Sequence, residues 1–115
     1  LEALGFEVKK FSMQQPPQFP APKHTIYIDA DKMEFPVQVR AWEEGDTFIP
    51  FGMKGRQKVS DLFNNLKINK LKKKQIPILL IGDQIAWVVG IRADHRFRIT
   101  TQTQHYYKIT YHGTI

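Results

Sequence analysis

The run Ile78-Leu79-Leu80-Ile81, then Gly82-Asp83, then Gln84-Ile85-Ala86-Trp87-Val88-Val89 constrains the fold of this chain most tightly. Two apolar runs separated by two residues read as a β-hairpin, and Gly at the first loop position suits a type II′ turn. Both strands are almost wholly apolar, so the hairpin is expected to be buried on both faces. A chain of 115 residues can supply one domain with a modest core around it. Gly90 breaks the second strand, and Arg92, Asp94 and Arg96 follow in an expected charged loop.

The second organising stretch runs from Gly45 to Gln75. Val59, Leu62, Phe63 and Leu66 recur at i, i+3, i+4 and i+7 and so share one face of a helix. A tight loop containing Gly52 and Gly55 is expected to run straight into that helix. Lys54, Arg56 and Lys58 crowd the loop and the helix start. A helix N-terminus already carries partial positive charge and gains nothing from cations of its own. Basic residues gathered there point to an anion such as phosphate; the alternative is a plain turn with solvated lysines. Asn69 suits the N-cap of a second short helix, Lys70 to Gln75, which must stop before Pro77. Lys70, Lys73 and Lys74 are expected on one face of it, either solvated or meeting a counter-charge.

The remaining elements are shorter. Phe6 to Met13, Thr25 to Ile28 and Val37 to Trp42 read as strands, and Phe97 to Thr100 and Tyr106 to Tyr111 as closing strands. Asp29 to Met33 reads as a turn. Pro16, Pro17, Pro20 and Pro22 exclude helix and central strand from Gln14 to Pro22, which leaves an extended connector. Residues 1–24 thus form a lead-in strand and a proline-rich connector. Six or seven short strands with two helices between them make an α+β pattern.

Charge is distributed unevenly. Residues 1–50 hold five Lys/Arg against eight Asp/Glu, net −3, while residues 51–115 hold twelve against three, net +9. The basic part is a credible footprint for a polyanion. Absence of cysteine removes disulfides, thiolate metal sites and cysteine nucleophiles. No apolar run approaches a membrane span and no signal-peptide pattern is present. The chain begins with Leu1, which suggests a processed product or an excised piece.

Catalysis has little support in these residues. Ser60 beside Asp61 reads as a helix-start residue, and His24, His95, His105 and His112 lack metal-ligand spacing. Glu43/Glu44 and Asp29/Asp31 fall in turns with nothing to push their pKa values apart. Gly52-Met-Lys-Gly55 invites comparison with the GXXG loop of KH domains, which clamps nucleic-acid backbone. That loop joins two helices, whereas Pro50 disfavours helix before Gly52. Trp42, Phe51, Trp87 and Phe97 are aromatics that could stack bases; Trp87, inside the apolar hairpin, reads as core, and Phe51, on the loop, stays open.

The order and spacing of several short motifs resemble the C-terminal domain of bacterial tRNA(Ile)-lysidine synthetase. They are Asp29-Ala-Asp-Lys-Met33, Arg40, Gly45-Asp46-x-Phe48-x-Pro50-x-Gly52-Met53-x-Gly55, Lys58-Val59-Ser60-Asp61-x-Phe63, Pro77-Ile-Leu, and Ile85-x-Trp87-Val-Val-Gly90-x-Arg92-x-Asp94-x-Arg96. The resemblance spans about residues 25–110 and implies that 25–115 is a C-terminal tRNA-binding domain. It implies a small mixed β-sandwich-like α+β fold, similar to a domain of the phenylalanyl-tRNA synthetase β chain. It also implies a cytoplasmic, ATP-dependent parent ligase that converts a wobble cytidine to lysidine. ATP with Mg would belong to the catalytic domain of that same parent chain, and no cofactor to this part. The expected partner is tRNA, chiefly its acceptor stem. Many relatives carry Arg where this chain has Thr47, and their second helix mixes Glu and Arg where this one is lysine-rich.

The expected phosphate contacts are Arg40, Lys54, Arg56, Lys58, Arg92 and Arg96, with Lys70, Lys73 and Lys74 behind them. A stand-alone KH-like RNA module, or a structural or homodimerising domain without RNA contact, are the alternatives. A helix immediately before Gly52 would favour the first, and a large apolar patch without a coherent basic face the second.

Overall fold

The structure is a computed structural model that describes residues 4–113. The reading of Leu1 as a cut end and the last two residues of the 25–115 span lie outside them. The chain forms two compact units, one built from the chain up to Glu34 together with Phe97 onward, the other from Phe35–Arg96.

The first unit is an antiparallel sheet of β1 (Phe6–Ser12), β9 (His105–Tyr111) and β2 (Thr25–Asp29), with β9 central. Its register places Val8 opposite Ile109 and Ile26 opposite Ile109, so one face gathers Phe6, Ile26, Ile28 and Ile109, all buried. On the opposite face Phe11 stacks on Tyr106, and Tyr27 meets Tyr106 edge-on. The proline-rich connector is fastened to this face. The Tyr106 hydroxyl donates to the Gln15 carbonyl at 2.6 Å, and Phe19 packs edge-on against Tyr27. Asp29 is buried and accepts from the Thr103 hydroxyl at 2.7 Å, so its carboxylate has a partner. Phe97–Thr100 is not the strand its composition suggests. A 3₁₀ turn covers His95–Phe97, and Thr100 N–H donates to the Thr103 hydroxyl, which commits the backbone to a turn.

The second unit is built on the hairpin. Sheet order is β3 (Val37–Arg40), β6 (Ile78–Ile81), β7 (Gln84–Val88), β8 (Arg92–Ala93), all antiparallel. Gly82 takes φ +61° and Asp83 does not turn positive, the φ pattern of a II′ turn. All four β6 residues and Ile85–Val89 are buried, as the doubly apolar pattern requires. A second, two-stranded sheet pairs β4 (Thr47–Phe48) with β5 (Gln57–Lys58). Helices α1 (Val59–Asn65) and α2 (Lys70–Gln75) follow. Phe48, Val59, Leu62, Phe63, Ile76, Ile78, Leu80, Ile85 and Val88 form one apolar cluster. The glycine loop therefore does not run straight into the helix. It closes the β4–β5 hairpin, and β5 intervenes.

A bulge organises the far edge of the sheet. Leu79 pairs with Trp87 but Leu80 with Ile85, leaving Ala86 as the extra residue. The Ala86 carbonyl accepts from Asp94 N–H at 2.9 Å. Ile49–Phe51 and Ala93–His95 are then bonded to each other. Phe51 N–H reaches Ala93 O at 3.0 Å and His95 N–H reaches Ile49 O at 2.7 Å. Asp94 is 1 % exposed, and its carboxylate accepts from Ile49 N–H at 2.9 Å and Arg96 N–H at 2.7 Å. Arg96 Nε and Nη2 add bonds at 3.0 and 2.8 Å. Four donors on one buried carboxylate leave little desolvation uncompensated. The expected charged loop of Arg92, Asp94 and Arg96 is thus half strand, with its acid in the core.

Asp94→Ala strands the Ile49 amide and the Arg96 guanidinium together. We expect a loss of about 2–4 kcal/mol, the lower part of the range for breaking a buried pair because Arg96 keeps some water. Urea unfolding of the chain measures it; a loss under about 0.5 kcal/mol, the scale of an ordinary surface change, would mean that Asp94 is not a structural anchor.

Candidate anion-binding cleft

Within the second unit, Arg40, Arg56 and Arg96 converge on a surface cleft of about 330 Å³, lined also by Gly45, Asp46, Thr47, Asp83, Gln84 and Ile85. Each arginine comes from a different element: the end of β3, the approach to β5, and the segment after β8. Arg40 is held by Asp46 in a two-point pair, Nη1–Oδ2 and Nη2–Oδ1 both 2.9 Å, and Nη1 also reaches the Ala41 carbonyl. Arg96 is held by Asp94 as described. Arg56 is tied more lightly, with Nη1 donating to the Thr47 hydroxyl at 3.2 Å. Thr47 thus helps to orient an arginine.

The pairing shifts the titrations in a consistent direction. Burial pushes Asp46 up, but bonds from Arg40 and from Glu43 N–H and the arginine's charge outweigh it, so its pKa lies below the ordinary value. Arg40 is raised chiefly by its bond to Asp46, and Arg96 by its bond to Asp94. The guanidiniums stay charged at any physiological pH. What the carboxylates add is orientation: a fork has five donors, and a two-point pair leaves others directed outward. The lining carries three cations and two anions, net +1, so its long-range pull on an anion is small.

The other expected phosphate contacts separate into two kinds. Arg92 donates through Nη2 to the Phe51 carbonyl at 3.0 Å, and Lys73 donates to Asn64 Oδ1 at 2.9 Å with its ammonium 5.9 Å from the Trp42 ring. Both fasten parts of the fold: Arg92 the loop, Lys73 the otherwise unburied α2. Lys54, Lys58, Lys70 and Lys74 are exposed, with no side-chain bond among the described residues. Lys73 thus parts company with Lys70 and Lys74. Asn69 caps α2 as expected, accepting from Lys72 N–H at 2.8 Å. At the start of α1, a helix of seven residues, Val59 N–H is already taken by the Asp46 carbonyl. Sequence reasoning gave Asp46 and Asp94 no role. The signal was present, since an acid two residues before Arg96 can fold back onto it.

The described residues hold no group of three or more His, Asp or Glu placed to bind a metal, and no helix long and apolar enough to cross a membrane. The segment before Gly52 is strand and extended chain, not helix, which removes the condition that would favour a KH fold. Fold and cleft together define a small α+β domain that presents oriented guanidiniums.

The family described as TilS substrate C-terminal domain matches residues 37–110, and the chain belongs to that family. It is 51 % identical over 82 residues to tRNA(Ile)-lysidine synthase of Parabacteroides distasonis, covering 71 % of this chain and 19 % of that protein. With the Bacteroides thetaiotaomicron enzyme of the same name it is 41 % identical over 110 residues, covering 92 % and 26 %. The chain thus spans about a fifth to a quarter of these relatives. A crystal structure of a TilS C-terminal domain superposes with TM-score 0.78 at 21 % identity, over 96 % of this chain and 86 % of that one. An N-terminal fragment of the phenylalanyl-tRNA synthetase β-subunit from Pyrococcus horikoshii gives 0.61 at 22 %, over 74 % and 27 %. The α+β class and the likeness to that synthetase fragment agree with the sequence.

Because Asp46 is depressed, its contribution to stability is present above the unfolded carboxylate value near 3.9 and is lost as pH falls through the lower folded value. The stability gap between the wild type and Asp46→Asn should therefore be widest near neutrality and narrow below about pH 4. Urea unfolding at pH 7 and pH 3 tests this; a gap that widens in acid contradicts it.

Proposed function

We propose that the chain is the tRNA-holding C-terminal domain of a tRNA(Ile)-lysidine synthetase and grips the acceptor stem through its phosphates. The observation that carries this reading is the convergence of Arg40, Arg56 and Arg96 on one cleft, two of them locked by carboxylates. The names of the relatives supply the substrate class. Duplex RNA offers phosphates, 2′-OH groups and shape more than readable base edges, and a fixed array of forks suits the first of these. Lys54, Lys58, Lys70 and Lys74 supply attraction, and the arginines supply register. Activation of the cytidine with ATP and Mg, and attachment of lysine, belong in this reading to a catalytic domain elsewhere in the same cytoplasmic protein. This part contributes binding energy and orientation to that reaction.

Two measurements at fixed salt check the reading. An acceptor-stem minihelix should bind the chain more tightly than an anticodon stem-loop; a preference for the stem-loop that vanishes when its wobble cytidine is changed would place the domain at the chemistry instead. Replacing Lys54, Lys58, Lys70 and Lys74 by Ala should reduce the slope of log K against log[salt] by roughly three to four in magnitude if each neutralises a phosphate. An unchanged slope would make these lysines merely solvated.

A further inference from the structure

We propose that Phe51, at the tip of the β4–β5 loop, is a stacking platform for an unpaired nucleobase flanking the bound stem. This rests on the RNA reading above and adds to it a contact that phosphate-binding residues do not make. Phe51 is 55 % exposed, as is Phe35 at 60 %, whereas Phe48, Phe63 and Trp87 of the same unit are buried. Its backbone is fixed on every side. Phe51 N–H donates to Ala93 O, its carbonyl accepts from Arg92 Nη2, and Met53 N–H returns to Pro50 O at 2.9 Å. Gly52, at φ +85°, donates its N–H to His95 Nδ1 at 3.1 Å. That bond makes Nδ1 an acceptor and fixes the imidazole, whose ring lies 5.9 Å from the Phe51 ring.

These bonds fix the backbone from which the exposed ring projects. Here the bonds hold the ring out, so little ordering entropy is left to lose when something flat settles on it. The surroundings select the ligand. Lys54, Arg56 and Arg92 lie on or against the same loop, and a cationic setting around an exposed π-face suits a base attached to a phosphate backbone. Paired bases inside a stem present no free face, so the platform should act on a nucleotide beyond the last pair. The contact is tolerant of base identity, because every base has a π-face.

The test compares a blunt acceptor-stem minihelix with one carrying an unpaired 3′ extension that contains 2-aminopurine. The wild-type chain should bind the extended RNA about fivefold to a hundredfold more tightly and quench its fluorescence. Phe51→Leu, which keeps apolar bulk without the π-face, should remove both effects and leave the blunt RNA unchanged; Phe51→Trp should restore them. Equal affinity for both RNAs with no quenching overturns the platform while leaving the stem reading intact. Failure to bind either RNA overturns both. A Phe51→Leu loss equal on both RNAs, or a self-association in sedimentation that Phe51→Leu abolishes, would assign the ring to apolar packing and also overturn the proposal.

Discussion

The Asp94 carboxylate, sealed from water and bonded by four N–H groups, is the constraint on which the second unit's display surface depends. The residue ties three parts of the unit together: the loop leaving β4 through Ile49, the bulged strand through the Asp94 amide on Ala86, and Arg96 through a forked pair. A buried ion pair is weak evidence of net stability, since a well-packed apolar substitute often does as well. What an apolar substitute cannot do is fix a guanidinium at the mouth of a cleft. The geometry of the pair, more than its energy, is what the fold retains.

The same device recurs at lower burial in Asp46 and Arg40. Its acid also accepts Glu43 N–H and its backbone carbonyl takes the first amide of α1. One residue thus sets the turn after β3, the orientation of Arg40 and the start of the helix. Formal charge is then divided by function. Arginines braced by acids are stiff and nearly neutral as a group, whereas lysines on the loop and on α2 are solvated and screened by salt. In the proposed reading, long-range attraction falls to Lys54, Lys58, Lys70 and Lys74 and register to the arginines.

Much of the scaffold was legible in the chain. The apolar hairpin, its II′ turn, both helices and the Asn69 cap follow from local chemistry, because each is decided by residues within a few positions of one another. Two features were not. The β4–β5 hairpin has two-residue strands, and the chain just after β4 bridges from Pro50 to Asp94, a contact across 44 positions that no window senses. Phe97–Thr100 has the composition of a strand, but a Thr100–Thr103 bond outcompetes the ladder. At the candidate site, charge marked the basic residues without sorting them. Basic type alone does not distinguish Lys73, fastened to Asn64, from Lys74 in water. Asp94 read only as part of a charged loop, and Asp46 only as a motif position, so neither was seen to brace an arginine.

The central claim is that carboxylate-braced arginines present a preformed anion site. Side-chain Nε–H resonances of Arg40, Arg56 and Arg96, followed by NMR as an acceptor-stem duplex is titrated into the chain, test it most directly. The account predicts that, before RNA is added, the Arg40 and Arg96 resonances are sharp and that of Arg56 is broader, and that all three shift together with one apparent affinity. Shifts confined to the β1–β9–β2 sheet, with these three resonances unmoved at saturation, would contradict it.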